Sequence, residues 1–175
     1  MERHSLGARP LMVAAISVPA VAKLAEAMAF GPITRTFDCE EVNGVANDPA
    51  IRPHIGAGTD WLDLSVLVEN TCNQFLFGVH GGFGFIWTSP GVYEVHALVL
   101  PTGRGKWARF AADKALSAIR EAEARQIWTR TPSWATHAQD FAREFGMRQV
   151  GGEVLLEGIE PVEHLWFLRD LEVAD

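Results

Sequence analysis

Several things are scarce in this sequence. It has two cysteines, Cys39 and Cys72, in 175 residues. They stand far apart and fit no metal-ligand spacing, so we expect buried or half-buried thiols in a reducing, cytoplasmic compartment. Positive charge is short as well: 15 Lys and Arg against 22 Asp and Glu give a formal charge of −7. A general grip on a phosphate backbone needs a basic face, so nucleic-acid binding is excluded as a main role. One local anion site remains open. No apolar run is long and clean enough to span a membrane. The nearest, residues 11–29, resembles a secretory core, but Pro19 splits it and Lys23 and Glu26 interrupt it. It reads as an amphipathic helix that docks on the domain or on a partner. With the sequence beginning at Met1, no cleaved leader is expected. There is no G-x-S-x-G elbow and no pair of histidines at ligand spacing on one helix, so neither hydrolase chemistry nor a metal centre has support.

What is present is a chain of single-domain length, 48% apolar, with six tryptophans. That suffices for a substantial core. We divide it into an N-terminal helical extension, 1–31, and one domain, 32–175. Gly31-Pro32 closes the extension, and a short strand follows over 33–37. Asp38 caps a helix through 39–47. Asp48-Pro49 opens a turn or short helix toward Ile55. Residues 61–68 fit a strand or an irregular link. Alternation predicts strands over 74–80, 83–88 and 92–100, with turns at Gly81-Gly82 and at Ser89-Pro90-Gly91.

Helical periodicity takes over from 104 to 124, with Ala108, Ala112, Ala115, Leu116, Ile119 and Ala122 on one face. Residues 126–132 form a strand, Ser133 caps a helix to Phe145, and Gly146 ends it. Two or three strands close the chain. The strand–helix–strand unit at 92–132 predicts one parallel pair in an otherwise antiparallel sheet. The fold class is therefore α/β: a mixed sheet of six or seven strands with helices on both faces. Trp87, Trp128 and Trp166 are expected in the core or half-core. Trp61, Trp107 and Trp134 lie near turns or helix starts, where exposed aromatics favour protein partners.

The junction LPTGRGKWARF, 100–110, is the strongest chemical signal. Arg104, Lys106 and Arg109 crowd a helix start, where the backbone is already positive. A glycine-rich turn there aims free N–H groups at one spot and suits a phosphate. The plainer alternative is a solvated turn. On the preceding strand, Glu94 and His96 are two apart and share a face.

Arg-Gly-Lys at that junction, and A-x-x-F-A-x-x-F-G-M over 138–147, resemble the GCN5-related N-acetyltransferases (GNAT). EVHALVLPTGRGK (94–106), NDPAIRPHIG (47–56) and DLSVLVEN (63–70) resemble, more narrowly, short acetyltransferase-like proteins of tailed bacteriophages. The resemblance covers about 33–152. It implies acetyl-CoA as cosubstrate and an amine as acceptor. It also implies a base at Glu94 with His96 beside it, and a carbonyl-polarising amide near Leu98 to Leu100. The pyrophosphate seat would be Gly103, Arg104, Gly105, Lys106, Trp107 and Ala108. The chain departs from the family pattern at four positions. Trp107 and Arg109 replace small residues of the phosphate turn, Ala135 replaces an Asn, and Ala142 replaces a Tyr. These departures keep a second reading open: a non-catalytic interaction protein or virion component on the same scaffold, held to partners by the N-terminal helix and exposed tryptophans. That reading expects the Trp107 indole to fill the cleft.

Overall fold

In a computed structural model, residues 25, 27–56, 60–157 and 160–171 are described. The N-terminal extension falls mostly outside them; of it, residues 27–30 are helical. Seven strands form one sheet: β1 (Thr34–Thr36), β2 (Gln74–Gly78), β3 (Gly81–Ser89), β4 (Val92–Val99), β5 (Gln126–Pro132), β6 (Arg148–Glu157) and β7 (Glu160–Asp170). Their order is β1-β2-β3-β4-β5-β7-β6. Every pair is antiparallel except β4 with β5. The mixed sheet and its single parallel pair are as the sequence leads one to expect.

Beyond the helical residues 27–30, four helices among the described residues flank it: α1 (Cys39–Ala46), α2 (Ser65–Glu69), α3 (Lys106–Glu121) and α4 (Thr136–Glu144). The Asp38 carboxylate accepts from the amides of Glu40 and Glu41 and starts α1. On one face of the sheet, the alanine stripe of α3 lies close over Phe83, Phe85, Tyr93, Ile127 and Phe167. Small side chains permit that close approach. On the other face, Val42 of α1 and Val68 of α2 pack on Phe75, Phe77 and Leu98.

Four local expectations need correction. The first hairpin turns at Val79-His80, and Gly81 and Gly82 belong to β3. Gly82 is required by crowding, since a Cβ there would lie 2.0 Å from the Leu76 carbonyl oxygen. The 61–68 stretch is neither strand nor simple link, because it ends in α2. The Asp63 carboxylate accepts from both the amide and the hydroxyl of Ser65 and turns the chain into that helix. Ser133 does not cap α4, which begins three residues later without a side-chain cap; the Ser133 amide donates to the Glu163 carbonyl instead. Among the lone residues, Cys72 and Trp87 are exposed, against expectation, and Trp107 is buried.

Candidate active site

Strand β4 keeps its ladder with β3 from Val92 to Val99. With β5 it pairs only at Val92, Tyr93 and Glu94. Beyond Glu94 the two parallel strands part. The gap opens into a cleft of about 840 Å³, walled by β4, β5, α3 and α4. That volume is within the range of small-molecule sites. The Leu100 amide donates to the His80 carbonyl on the β3 side. Alternation along a strand then turns the amides of Leu98 and Leu100 toward β3, and those of Ala97 and Val99 toward the gap. The main-chain donors that face the gap are therefore one residue out of step with Leu98 and Leu100, the pair named from the sequence. Ala97 and Val99 line the cleft, whereas Leu98 is core.

The glycine-rich junction also differs in detail. Pro101–Gly103 is a 3-10 turn that uses the Gly103 amide on Leu100 and the Arg104 amide on Pro101. Gly105 follows at φ 88°, a conformation that strongly favours glycine, and stands at the start of α3 with no side-chain cap. The first intrahelical acceptor is the Gly105 carbonyl, taken by the Arg109 amide. The amides of 105–108 are the free donors that every helix start leaves, here with no protein acceptor among the described residues. Arg104, Gly105 and Ala108 line the cleft; Gly103, Lys106 and Trp107 do not.

The Trp107 indole does not fill the cleft. It is 4% exposed, its Nε1 donates to the Phe30 carbonyl at 3.2 Å, and it stands edge-on to His80. Of the three cations at the helix start, Arg104 reaches the Ala50 carbonyl at 3.3 Å across the cleft mouth. Arg109 is held by Glu144 of α4 through two bonds of 3.0 Å. Lys106 is exposed.

Across the gap, Glu94 and His96 do share a face. Glu94 Oε1 lies 3.5 Å from His96 Nε2 and accepts from Arg130 of β5 at 3.2–3.3 Å. His96 lines the cleft; Glu94 lies behind it. Desolvation holds the His96 pKa below its ordinary value; Glu94 pulls it up, and Arg130 pushes it further down. Tyr93, the sole tyrosine, is buried under α3, so no phenol reaches the cleft. Ala135 and Ala142 stand in the cleft wall.

Sequence reasoning missed Arg130, because a cation on a central strand carries no motif. It also gave His54 no role, and it read Trp134 as an aromatic for protein partners rather than as part of a cleft. Their rings meet at 5.4 Å across the mouth, joining the 3-10 turn at Arg52–His54 to the segment before α4. Only the folded chain brings those two loops together.

The sequence matches no family model and no curated protein. Solved structures do match in fold. YncA of Salmonella typhimurium, described as an acetyltransferase and solved with its cofactor acetyl-CoA, superposes with a TM-score of 0.65 at 14% identity, over 83% of this chain and 97% of that one. An N-acetyltransferase from Staphylococcus aureus gives 0.66 at 14% identity, over 80% and 98%. A GNAT-family protein of Chromobacterium violaceum gives 0.65 at 16% identity, over 79% and 86%. The chain thus has the fold of the GNAT acetyltransferases.

Proposed function

We propose that the protein is an acetyl-CoA-dependent N-acetyltransferase. The observation that carries this reading is the gap between β4 and β5, which opens a cleft onto two sets of unused main-chain donors. One set is Ala97 and Val99 on the strand edge. The other is the first turn of α3. Amides in that turn favour a pyrophosphate, with Arg104 at the rim to add charge. The strand-edge amides suit an extended amide-bearing arm and a thioester carbonyl. Bound acetyl-CoA would supply the activated acetyl group.

The chain's own groups then divide the work. An acceptor amine is an ammonium ion at neutral pH and must lose a proton to become a nucleophile. His96 faces the cleft and is held toward its neutral form, so it is the better base; Glu94, already engaged by Arg130, supports it. This reverses the order of roles read from the sequence. The described chain offers no phenol to a departing thiolate. A thiol pKa of about 8.5 leaves that proton to solvent near neutral pH. The non-catalytic alternative expected a cleft sealed by Trp107, and the indole lies in the core.

Calorimetric titration with acetyl-CoA is the test. Micromolar binding, weakened at least tenfold by Arg104→Ala, is the expected result. No heat at millimolar ligand would overturn the proposal.

A further inference from the structure

Arg130 belongs to no sequence motif, yet it is the centre of the polar cluster on the open face of the sheet. Its Nε and one terminal nitrogen donate to Glu94 Oε1 at 3.3 and 3.2 Å. That same oxygen is the one facing His96 Nε2. Its other terminal nitrogen lies 3.7 Å from Glu153 Oε1 on β6. Its guanidinium carbon sits over Trp128 and Trp166, at 5.6 and 5.9 Å from their ring centres. Those two indoles are themselves stacked at 5.0 Å and 9°. Residues of four strands, β4 to β7, therefore fix one side chain whose head borders the cleft with His96. Planar stacking and a two-nitrogen grip are features that a lysine cannot supply.

We propose that Arg130 is a positioning residue: it occupies the Glu94 oxygen that faces His96 and thereby leaves His96 in its proton-accepting form. The proposal rests on the acetyltransferase reading for its purpose, but not for its test. A carboxylate 3.5 Å from an imidazole would, unopposed, stabilise the imidazolium. Arg130 opposes it twice, by neutralising Glu94 and by adding a like charge beside the ring. Among the described residues, the other surroundings contribute no comparable charge. On β3, Gly84 stands opposite His96. On the same face, α1 and α2 turn Val42 and Val68 to the sheet. Of the groups at the cleft mouth, His54 faces Trp134 and Arg104 faces the Ala50 carbonyl. Glu94 and Arg130 are the charges that act on His96.

The experiment is an NMR pH titration of the His96 ring in the free, full-length protein. For the native protein a midpoint below the ordinary value of about 6.5 is expected. Arg130→Met should raise it by about one unit. Arg130→Lys, which restores the charge without the grip, should recover at least half of that rise. A midpoint that stays within about 0.3 unit in Arg130→Met, or falls, overturns the proposal. So does a lysine variant no different from the methionine one. Where turnover is measurable, the acid limb of kcat/KM should move to higher pH by the same amount in Arg130→Met. Because the ring titration needs no acetyl-CoA, its outcome is separate from the success or failure of the acetyltransferase assignment.

Discussion

From β1 to β4 each strand follows its neighbour in an antiparallel ladder, and β5, β7 and β6 do the same. Between these two blocks, only three register pairs hold. The joint itself is built of strand-forming residues, Val92 and Tyr93 on β4 against Ile127 and Trp128 on β5, so its sparse pairing is not a failure of propensity. It arises because β4 and β5 are parallel and diverge, each remaining faithful to the antiparallel partner on its other side. What unites the blocks is the apolar layer beneath α3. There Phe83 and Tyr93 from one block meet Ile127 and Phe167 from the other. Hydrogen bonds build each half; burial joins the halves. The donors left over at the joint are what a ligand can use.

The largest expected effect strikes that shared layer. Phe167 is 0% exposed. Phe167→Ala should cost about 3–5 kcal/mol, through lost burial and the cavity left behind. If burial under α3 does join the blocks, urea unfolding of this variant remains one transition, with its midpoint lowered for every probe. Two separated transitions would mean that the blocks are independent and the comparison is wrong.

A smaller effect distinguishes the two edges of one strand. At Leu98, proline would remove a donor on the β3 side and a buried side chain, with an expected cost of about 3 kcal/mol or more. At Ala97, proline would remove only a donor that faces the gap. Ala97→Pro should stay within about 1 kcal/mol of the native stability, yet lose at least about tenfold in acetyl-CoA affinity, near 1.4 kcal/mol. Chemical denaturation and calorimetry on the two variants read both numbers. Equal stability losses would show that the Ala97 amide is tied into the ladder no less than its neighbour's.

The sequence made much of the frame legible, for reasons that can be named. Alternation in 92–99 and the alanine stripe of α3 are local patterns, and both strand and helix appeared where they were read. Asp38 is a local cap and behaved as one. Gly81-Gly82 misled because the same residue answers two needs, a turn and a close backbone approach, and only the register with Leu76 decides between them. The direction of the amides near Leu98 could not be read, since a one-residue step in register exchanges the edges. Trp107 was read as an obstacle because its motif position says nothing about which side of α3 the indole takes. The Glu94–His96 pair was visible from spacing alone. Arg130 was not, because its two carboxylate partners lie 36 residues before it on β4 and on β6, the last strand of the sheet order.

The smallest effect concerns the strap between Arg109 and Glu144, which ties the first turn of α3 to the last turn of α4 beside the cleft. Each residue sits at the helix end its charge disfavours, and each is the other's compensation. The Arg109 hydrogen bonds hold the Glu144 carboxyl below its usual range. A carboxylate depressed in the folded state stabilises the protein above its unfolded pKa of about 4.3, and that contribution fades as pH falls through the lower folded value. Glu144→Gln should therefore lower Tm slightly at pH 7 and not at all once the native carboxylate is protonated. Added salt should shrink the difference at pH 7, because both partners are exposed and screened. A difference that grows on acidification would mean that the strap is not electrostatic. The loss should be far below that of Phe167→Ala, since this strap only fastens two helices that the core has already brought together.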